Sequence, residues 1–237
     1  MKRFYKEVAV RADDGASSVL LDGRPVRSPA RQALKIPSRP VAEAVAEEWR
    51  AQGEEIEPAA MPMLRLVNTA TDIVGRDREV VIDNLAGYGG TDLVCYFADR
   101  PDDLRQRQET LWRPVLQWAR EALSADLRTV VGVGFIQQDE AVLTTLRQAV
   151  AAHDDMSLAA LNDLVSISGS LLLALAHSRD HLDIEALWRA ARVDEDFQAE
   201  RWGWDAEAAS QAEWRRQELE QAARFLRLHR QGLRGGE

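Results

Sequence analysis

Hydrophobic and polar residues alternate with a period of two up to about residue 37, and short turn sequences interrupt the alternation. The alternating segments are VAVRA, SSVLL, RPVRS and RQALKI. Between the second and the third, Asp22-Gly23 suits the two central positions of a type I′ turn, where both residues have positive φ. The pattern therefore predicts a small antiparallel meander with a tight hairpin at Asp22-Gly23.

From Ser38 onward the apolar residues follow a helical period instead. Ser38 is a typical N-cap residue, and Pro40 suits the first turn of a helix. Three apolar residues then recur on one face before Gly53 ends the run: Val41, Val45 and Trp49. The sequence thus predicts a first helix that begins just after Ser38.

Helical patterns continue along the rest of the chain. The segments MLRLVNTATDIV, REVVIDNLAGY and TDLVCYFA each predict one short helix, and RTVVGVGFI predicts a lone strand or an extended connector. Residues 102–123 form an amphipathic helix that Pro114 is expected to kink or divide. Further helices are predicted over residues 138–153, 157–177, 181–193 and 206–230. We therefore expect an α+β fold, with a β-rich N-terminal domain at residues 1–37 and an all-helical domain at 38–237.

Composition narrows the range of functions. The formal net charge of −9 opposes binding to nucleic acid and to anionic membranes, because such binding uses clustered Lys and Arg. The apolar run 157–177 is long enough to span a bilayer, but Asn162 and Asp163 are costly in hydrocarbon, so we interpret it as a buried core helix rather than a membrane insertion. The first ten residues lack the apolar region of a secretory signal. We expect a cytoplasmic protein, and the preference for arginine over lysine suggests a bacterial source.

Few residues offer chemistry. Cys95 lies between Val94 and Tyr96 in an apolar run, which favours a buried small side chain, while a small thiol hydrolase that uses Cys95 and a distant histidine remains an alternative. His177 and His181 have the i, i+4 spacing of helical metal ligands, yet the residues between them resemble a turn. The sequence therefore predicts no catalytic residue, no metal site and no cofactor.

The tryptophans fall into two groups. Trp49, Trp112 and Trp118 lie on the apolar stripes of predicted helices, which indicates core packing. The others cluster around a glycine near the end of the chain: Trp188, Trp202, Trp204 and Trp214. Because tryptophan is enriched at protein interfaces, the second group favours a binding surface.

Six ordered blocks of sequence resemble the assembly chaperones that act on the alpha subunit of F-type ATP synthase, a family with mitochondrial and bacterial members. The blocks are KRFYKEV, LDGRPVRSPARQAL, AEEWRAQ, MPMLRLVNTATDIV, TDLVCYFADRPDDLRQRQETLWRPVLQW and WGWDAEA. The resemblance implies a protein without enzymatic turnover. It would bind the unassembled alpha subunit and shield the surface that faces the beta subunit until the catalytic hexamer forms. A general scaffold for helical partners is the other alternative.

The segment RWGWDAE, residues 201–207, has two interpretations. Gly203 suits the end of one helix and Asp205 the N-cap of the next, so the segment can be a purely structural junction. The tryptophans and acids can equally form a recognition surface, and the family resemblance implies that this acidic region is the functional one. The predicted partner-binding residues are Glu195, Glu200, Trp202, Asp205 and Glu207.

Overall fold

The computed structural model describes residues 1–13, 15–203 and 205–234. The strands are β1 (Val8–Asp13), β2 (Ala16–Leu21), β3 (Arg24–Pro25), β4 (Tyr96–Phe97) and β5 (Val130–Val131). The helices are α1 (Arg39–Arg50), α2 (Pro62–Thr69), α3 (Gly75–Gly87), α4 (Asp102–Leu123), α5 (Glu140–Ala151), α6 (Asp155–Ser168), α7 (Leu171–Ser178), α8 (Ile184–Ala191), α9 (Val193–Trp202) and α10 (Ala206–Arg234). The predicted α+β fold, a small N-terminal sheet followed by helices, is confirmed.

The N-terminal meander forms as predicted. β1, β2 and β3 pair in that order, antiparallel throughout, with Val8 opposite Leu21. Asp22 and Gly23 have φ values of 47° and 78°, which confirms the positive-φ hairpin between β2 and β3. The alternation of apolar residues thus places one face of the sheet against α1.

The first helix also begins where the sequence predicts. The Ser38 side chain accepts a hydrogen bond from the Val41 backbone N–H at 3.4 Å, as an N-cap does. The same hydroxyl donates to the Leu228 carbonyl at 2.8 Å. Ser38 therefore caps α1 and ties it to α10. The predicted core tryptophans, Trp49, Trp112 and Trp118, are all buried.

Three helix predictions need correction. α4 is not divided at Pro114 but runs through it as one helix, whose apolar stripe packs against α7, α8 and α9, and the alternative of a kink at Pro114 stays a prediction. TDLVCYFA is not a helix: Leu93–Cys95 form a 3-10 turn, and β4 then pairs in parallel with β5. The predicted helix over 157–177 is two helices, α6 and α7, separated at Gly169, whose φ is 71°.

The break between α6 and α7 depends on a buried carboxylate that is distant in sequence. Asp92 accepts hydrogen bonds from the Ser170 hydroxyl at 2.6 Å and from the Leu172 N–H at 3.0 Å. Burial raises the pKa of Asp92 to about 6. Since Ser170 also caps α7, Asp92 holds the start of α7 against the 3-10 turn at Leu93–Cys95.

Chain contacts divide the molecule into two compact units. The first unit contains Met1–Arg78, Asp154–Ala160 and Gln221–Glu237, and the second contains Glu79–His153 and Leu161–Glu220. The predicted division into a β-rich domain at residues 1–37 and a helical domain at residues 38–237 stays a prediction. In the part of the chain that the structure describes, no helix is long and apolar enough to cross a membrane; residues 157–177 lie largely in the core instead.

Candidate functional site

The junction between α9 and α10, in the second unit, contains most of the predicted partner-binding residues. α9 ends at Trp202, and Gly203 follows with φ 91° and ψ 162°, a conformation that glycine adopts readily and other residues do not. Asp205 then accepts a hydrogen bond from the Ala208 N–H at 3.3 Å. Gly203 and Asp205 thus end one helix and cap the next, as predicted. Trp204 lies outside the described residues.

A groove of about 420 Å³ runs along this junction. Glu195 and Trp202 come from one face of α9, since they are seven residues apart and therefore about two helical turns. Asp205 lines the groove from the start of α10. Trp202 is 77% exposed, which is unusual for so large an apolar side chain. The structure therefore brings Glu195, Trp202 and Asp205 together around one open groove.

Glu200 faces a different groove. Its carboxylate forms an ion pair with Arg107 of α4 at 2.8 Å, and both residues line a groove of about 520 Å³ that does not include Trp202. Next to it, Arg201 pairs with Asp103 at 2.6 Å. These pairs join α9 to α4 and give Glu200 a structural partner.

Glu207 is exposed in the first turn of α10 and lines neither groove. Its position near the positive N-terminal end of α10 is favourable for a carboxylate. Of the five predicted residues, three therefore line the α9–α10 groove, Glu200 is ion-paired in the other groove, and Glu207 lies on the surface outside both.

The α9–α10 groove also contains basic and small residues that were not predicted from the sequence. Arg192 lies at one end, with its guanidinium 5.1 Å from the centre of the Trp188 ring and an ion pair to Asp196. Arg215 of α10 donates to the Ile167 carbonyl at 2.6 Å. Small residues also line the groove: Ala199, Gly203, Ala208 and Ala212. Ala199 lies one helical turn after Glu195, so its place in the groove was predictable from the sequence. The residues of α10 line the groove only because the chain folds back on itself, which the sequence pattern does not show.

Cys95 is poorly suited to nucleophilic catalysis. The residue is fully buried, and burial together with the negative charge of Asp92 raises the pKa of its thiol to about 12. The reactive thiolate is therefore scarce near neutral pH.

The paired histidines make protein contacts. The Nδ1 atom of His177 lies 2.9 Å from the Leu182 carbonyl oxygen, and the ring of His181 stacks on Trp118 at 5.3 Å between centroids. Within residues 1–13, 15–203 and 205–234, no group of three or more His, Cys, Asp or Glu side chains is placed to hold a metal ion.

Known proteins resemble this chain in sequence and in structure. Residues 2–120 match the family described as ATP12 chaperone protein. The protein is 24% identical over 214 residues to the mitochondrial protein atp12 of Schizosaccharomyces pombe, covering 85% of this chain and 74% of that protein. The crystal structure of Atp12 from Paracoccus denitrificans has a TM-score of 0.92 and 43% identity, covering 96% of this chain and 98% of the other. The Atu1473 protein of Agrobacterium tumefaciens has a TM-score of 0.90 and 38% identity, covering 95% of this chain and 85% of the other. Because the family model covers half of the chain and these structures cover nearly all of it, the chain belongs to the ATP12 chaperone family.

Proposed function

We propose that this protein is an assembly chaperone for F-type ATP synthase. It binds the unassembled alpha subunit and shields the surface that faces the beta subunit until the catalytic hexamer forms, without enzymatic turnover. The observation that supports this proposal most directly is the membership of the chain in the ATP12 chaperone family. The solved relatives from two bacteria support a bacterial source, and we place the protein in the cytoplasm as part of this proposal.

The α9–α10 groove supports a binding role for the same region. Its small residues leave room for a segment of another protein, and the exposed Trp202 offers a large rigid contact area. Glu195 and Asp205 add carboxylates that complement basic side chains on a partner. We propose that the α9–α10 groove receives an apolar segment of the alpha subunit that carries basic residues, and that Glu207, and Glu200 in the other groove, make further contacts with the same partner.

Co-expression with the alpha subunit tests the proposal. We expect the wild-type chain to increase the soluble fraction of the alpha subunit, and Trp202→Ala and Glu195→Lys to reduce that increase at an unchanged melting temperature. Glu121→Lys is the matched control, because Glu121 is an exposed carboxylate on α4 outside both grooves. Unchanged aggregation of the alpha subunit with the wild-type chain would refute the proposed function, and equal rescue of an unrelated protein would indicate a general scaffold.

A further inference from the structure

Both walls of the α9–α10 groove are helical faces. On the α9 side, the lining residues recur every three or four positions: Arg192, Glu195, Ala199 and Trp202. On the α10 side, they follow the same spacing: Asp205, Ala208, Ala212 and Arg215. Each set covers about ten residues, which is roughly 15 Å along a helix axis. The groove therefore runs between two helical stripes of about three turns each.

The backbone of both walls is paired largely within the helices. At the junction, the Gly203 N–H donates to the Ala199 carbonyl at 2.9 Å, and the Ala209 N–H donates to the Asp205 carbonyl at 2.9 Å. None of the described residues that line the groove belongs to a β-strand. An extended segment in this groove would therefore lack the row of unpaired backbone groups that a sheet edge offers to a strand.

A helical segment suits such walls better than an extended one. Burying backbone N–H and C=O groups without partners is costly, and a helix pairs these groups internally. Its contacts with the groove are then made by side chains alone. Trp202, which is 77% exposed, offers these side chains a large apolar surface. Small residues on both walls allow a helix to approach closely: Ala199, Gly203, Ala208 and Ala212.

The charge of this region favours a basic occupant. Residues 193–214 contain seven carboxylates and a single arginine, Arg201, which pairs with Asp103 of α4. Glu195 and Asp205 line the groove and form no ion pair in the part of the chain that the structure describes. Lysine and arginine side chains of a partner would complement these carboxylates.

The two arginines that line the groove are already engaged by other groups of this chain. Arg192 forms an ion pair with Asp196 at 3.2 Å, and Arg215 donates to the Ile167 carbonyl at 2.6 Å. The carboxylates that face the groove without an ion pair therefore decide the sign of the charge that a partner must carry.

We propose that the α9–α10 groove binds an amphipathic α-helix of the protein client, about three turns long. One face of this helix carries apolar residues at i, i+3 or i+4, and i+7, which pack against Trp202 and the small residues. Lysine or arginine residues beside that face pair with Glu195 and Asp205. The identity of the client as the alpha subunit rests on the proposed function, whereas the helical form of the bound segment follows from the walls of the groove.

Photo-crosslinking from both walls tests the conformation of the bound segment. Gln198 of α9 and Gln211 of α10 line the groove and are exposed, so each can be replaced by p-benzoylphenylalanine. We expect crosslinks to the alpha subunit at positions three or four residues apart within one segment. Crosslinks at alternate residues would indicate an extended segment and overturn the proposal. A bound alpha subunit that crosslinks to neither position would overturn it as well.

A larger side chain in the groove tests its occupancy. Ala208 is exposed in the first turn of α10, where leucine suits a helix and fills space that the proposed helix needs. We expect Ala208→Leu to weaken alpha-subunit binding by about tenfold or more at an unchanged melting temperature. Ala141→Leu is the matched control, because Ala141 is exposed in the first turn of α5, outside this groove. It should bind as the wild type does.

The results separate this inference from the proposed function. Binding of the alpha subunit by the wild type and equally by Ala208→Leu would overturn the helix in the groove and leave the chaperone function intact. Failure of the wild type to bind the alpha subunit would overturn the proposed function, and with it the client assigned to the groove.

Discussion

At the residue scale, Asp205 is both an N-cap and an exposed negative charge in the α9–α10 groove. Asparagine keeps a capping oxygen but removes the charge. We expect Asp205→Asn to leave the melting temperature near that of the wild type and to weaken alpha-subunit binding. Asp205→Ala should also lower the free energy of unfolding by about 0.5–1 kcal/mol, because it removes the cap. Thermal unfolding and co-purification of the alpha subunit measure the two effects.

The two Asp205 variants distinguish recognition from structure. Normal alpha-subunit binding by Asp205→Asn would remove the carboxylate from the binding surface and leave the junction as a structural element. A lower melting temperature in Asp205→Asn would mean that the charge stabilises the start of α10 through the helix dipole.

Asp154 forms the other informative carboxylate contact, this one in the first unit. The Nε2 atom of the buried His229 lies 2.7 Å from Asp154 Oδ2, and the Ser157 N–H donates to Asp154 Oδ1 at 2.7 Å. Burial acts to raise the pKa of Asp154, but these hydrogen bonds and the charge of His229 outweigh it and hold the pKa at about 2.

This lowered pKa predicts a loss of stability in acid. Because the pKa of an unfolded aspartate is about 3.9, the ionised carboxylate stabilises the fold above that pH, and the contribution is lost as the pH falls toward 2. We expect Asp154→Asn to lower the free energy of unfolding by about 1 kcal/mol at neutral pH, since solvent screens this half-buried group. Urea unfolding of both proteins should show the difference shrinking in acid, and a difference that stays constant with pH would contradict the prediction.

At the element scale, Gly203 sets the geometry between α9 and α10. Its φ of 91° with ψ of 162° is strained for any residue with a Cβ atom, so Gly203→Ala should lower the free energy of unfolding by about 1–3 kcal/mol. We also expect weaker alpha-subunit binding, because the two helices that form the groove change their relative direction.

Gly53→Ala is the control for the glycine substitution. Gly53 lies outside the left-handed region, and a Cβ atom there would meet no atom within 4 Å. This variant should match or slightly exceed the wild type in thermal unfolding. A Gly203→Ala protein as stable as Gly53→Ala would show that the junction tolerates an ordinary backbone conformation.

The sequence predicts correctly those elements that are determined by residues close together in the chain. The hairpin at Asp22-Gly23 and the start of α1 at Ser38 depend on residues within a few positions of each other. The split between α6 and α7 has local signals in Gly169 and Ser170, whereas the hydrogen bonds that Asp92 accepts there were not predictable, because Asp92 is distant in the sequence. β4 likewise forms only because its partner β5 lies beyond α4.

The same limit applies to the candidate site. The turn at Gly203 and the cap at Asp205 have local signals, and a spacing of two residues alone puts Glu200 and Trp202 on different faces of α9, whereas the ion pair between Glu200 and Arg107 of α4 depends on the fold. Helical spacing alone would have placed Glu200 on another face than Glu195, since five residues turn an α-helix through well over one full turn. The pairing of Glu200 with Arg107 could therefore be recognised only from the three-dimensional structure.

At the scale of the whole molecule, the proposed function, binding without enzymatic turnover, predicts that the Cys95 thiol is dispensable. Cys95→Ala should preserve alpha-subunit solubility at temperatures well below unfolding, while the small cavity it creates lowers the free energy of unfolding by about 1 kcal/mol. Soluble alpha-subunit yield and thermal unfolding are the measurements. Loss of function in a folded Cys95→Ala protein would favour the thiol hydrolase instead.

The link between Ser38 and α10 has a consequence for synthesis of the protein. Ser38 bonds to the Leu228 carbonyl, and a Cβ atom at Gly232 would lie only 2.7 Å from the Ser38 Cα. A ribosome makes Ser38 long before it makes these partners, so the first unit stays incomplete until residues 221–234 have emerged. A nascent chain halted earlier leaves residues 1–78 without this closing helix, and cellular proteases remove chains that remain incompletely folded.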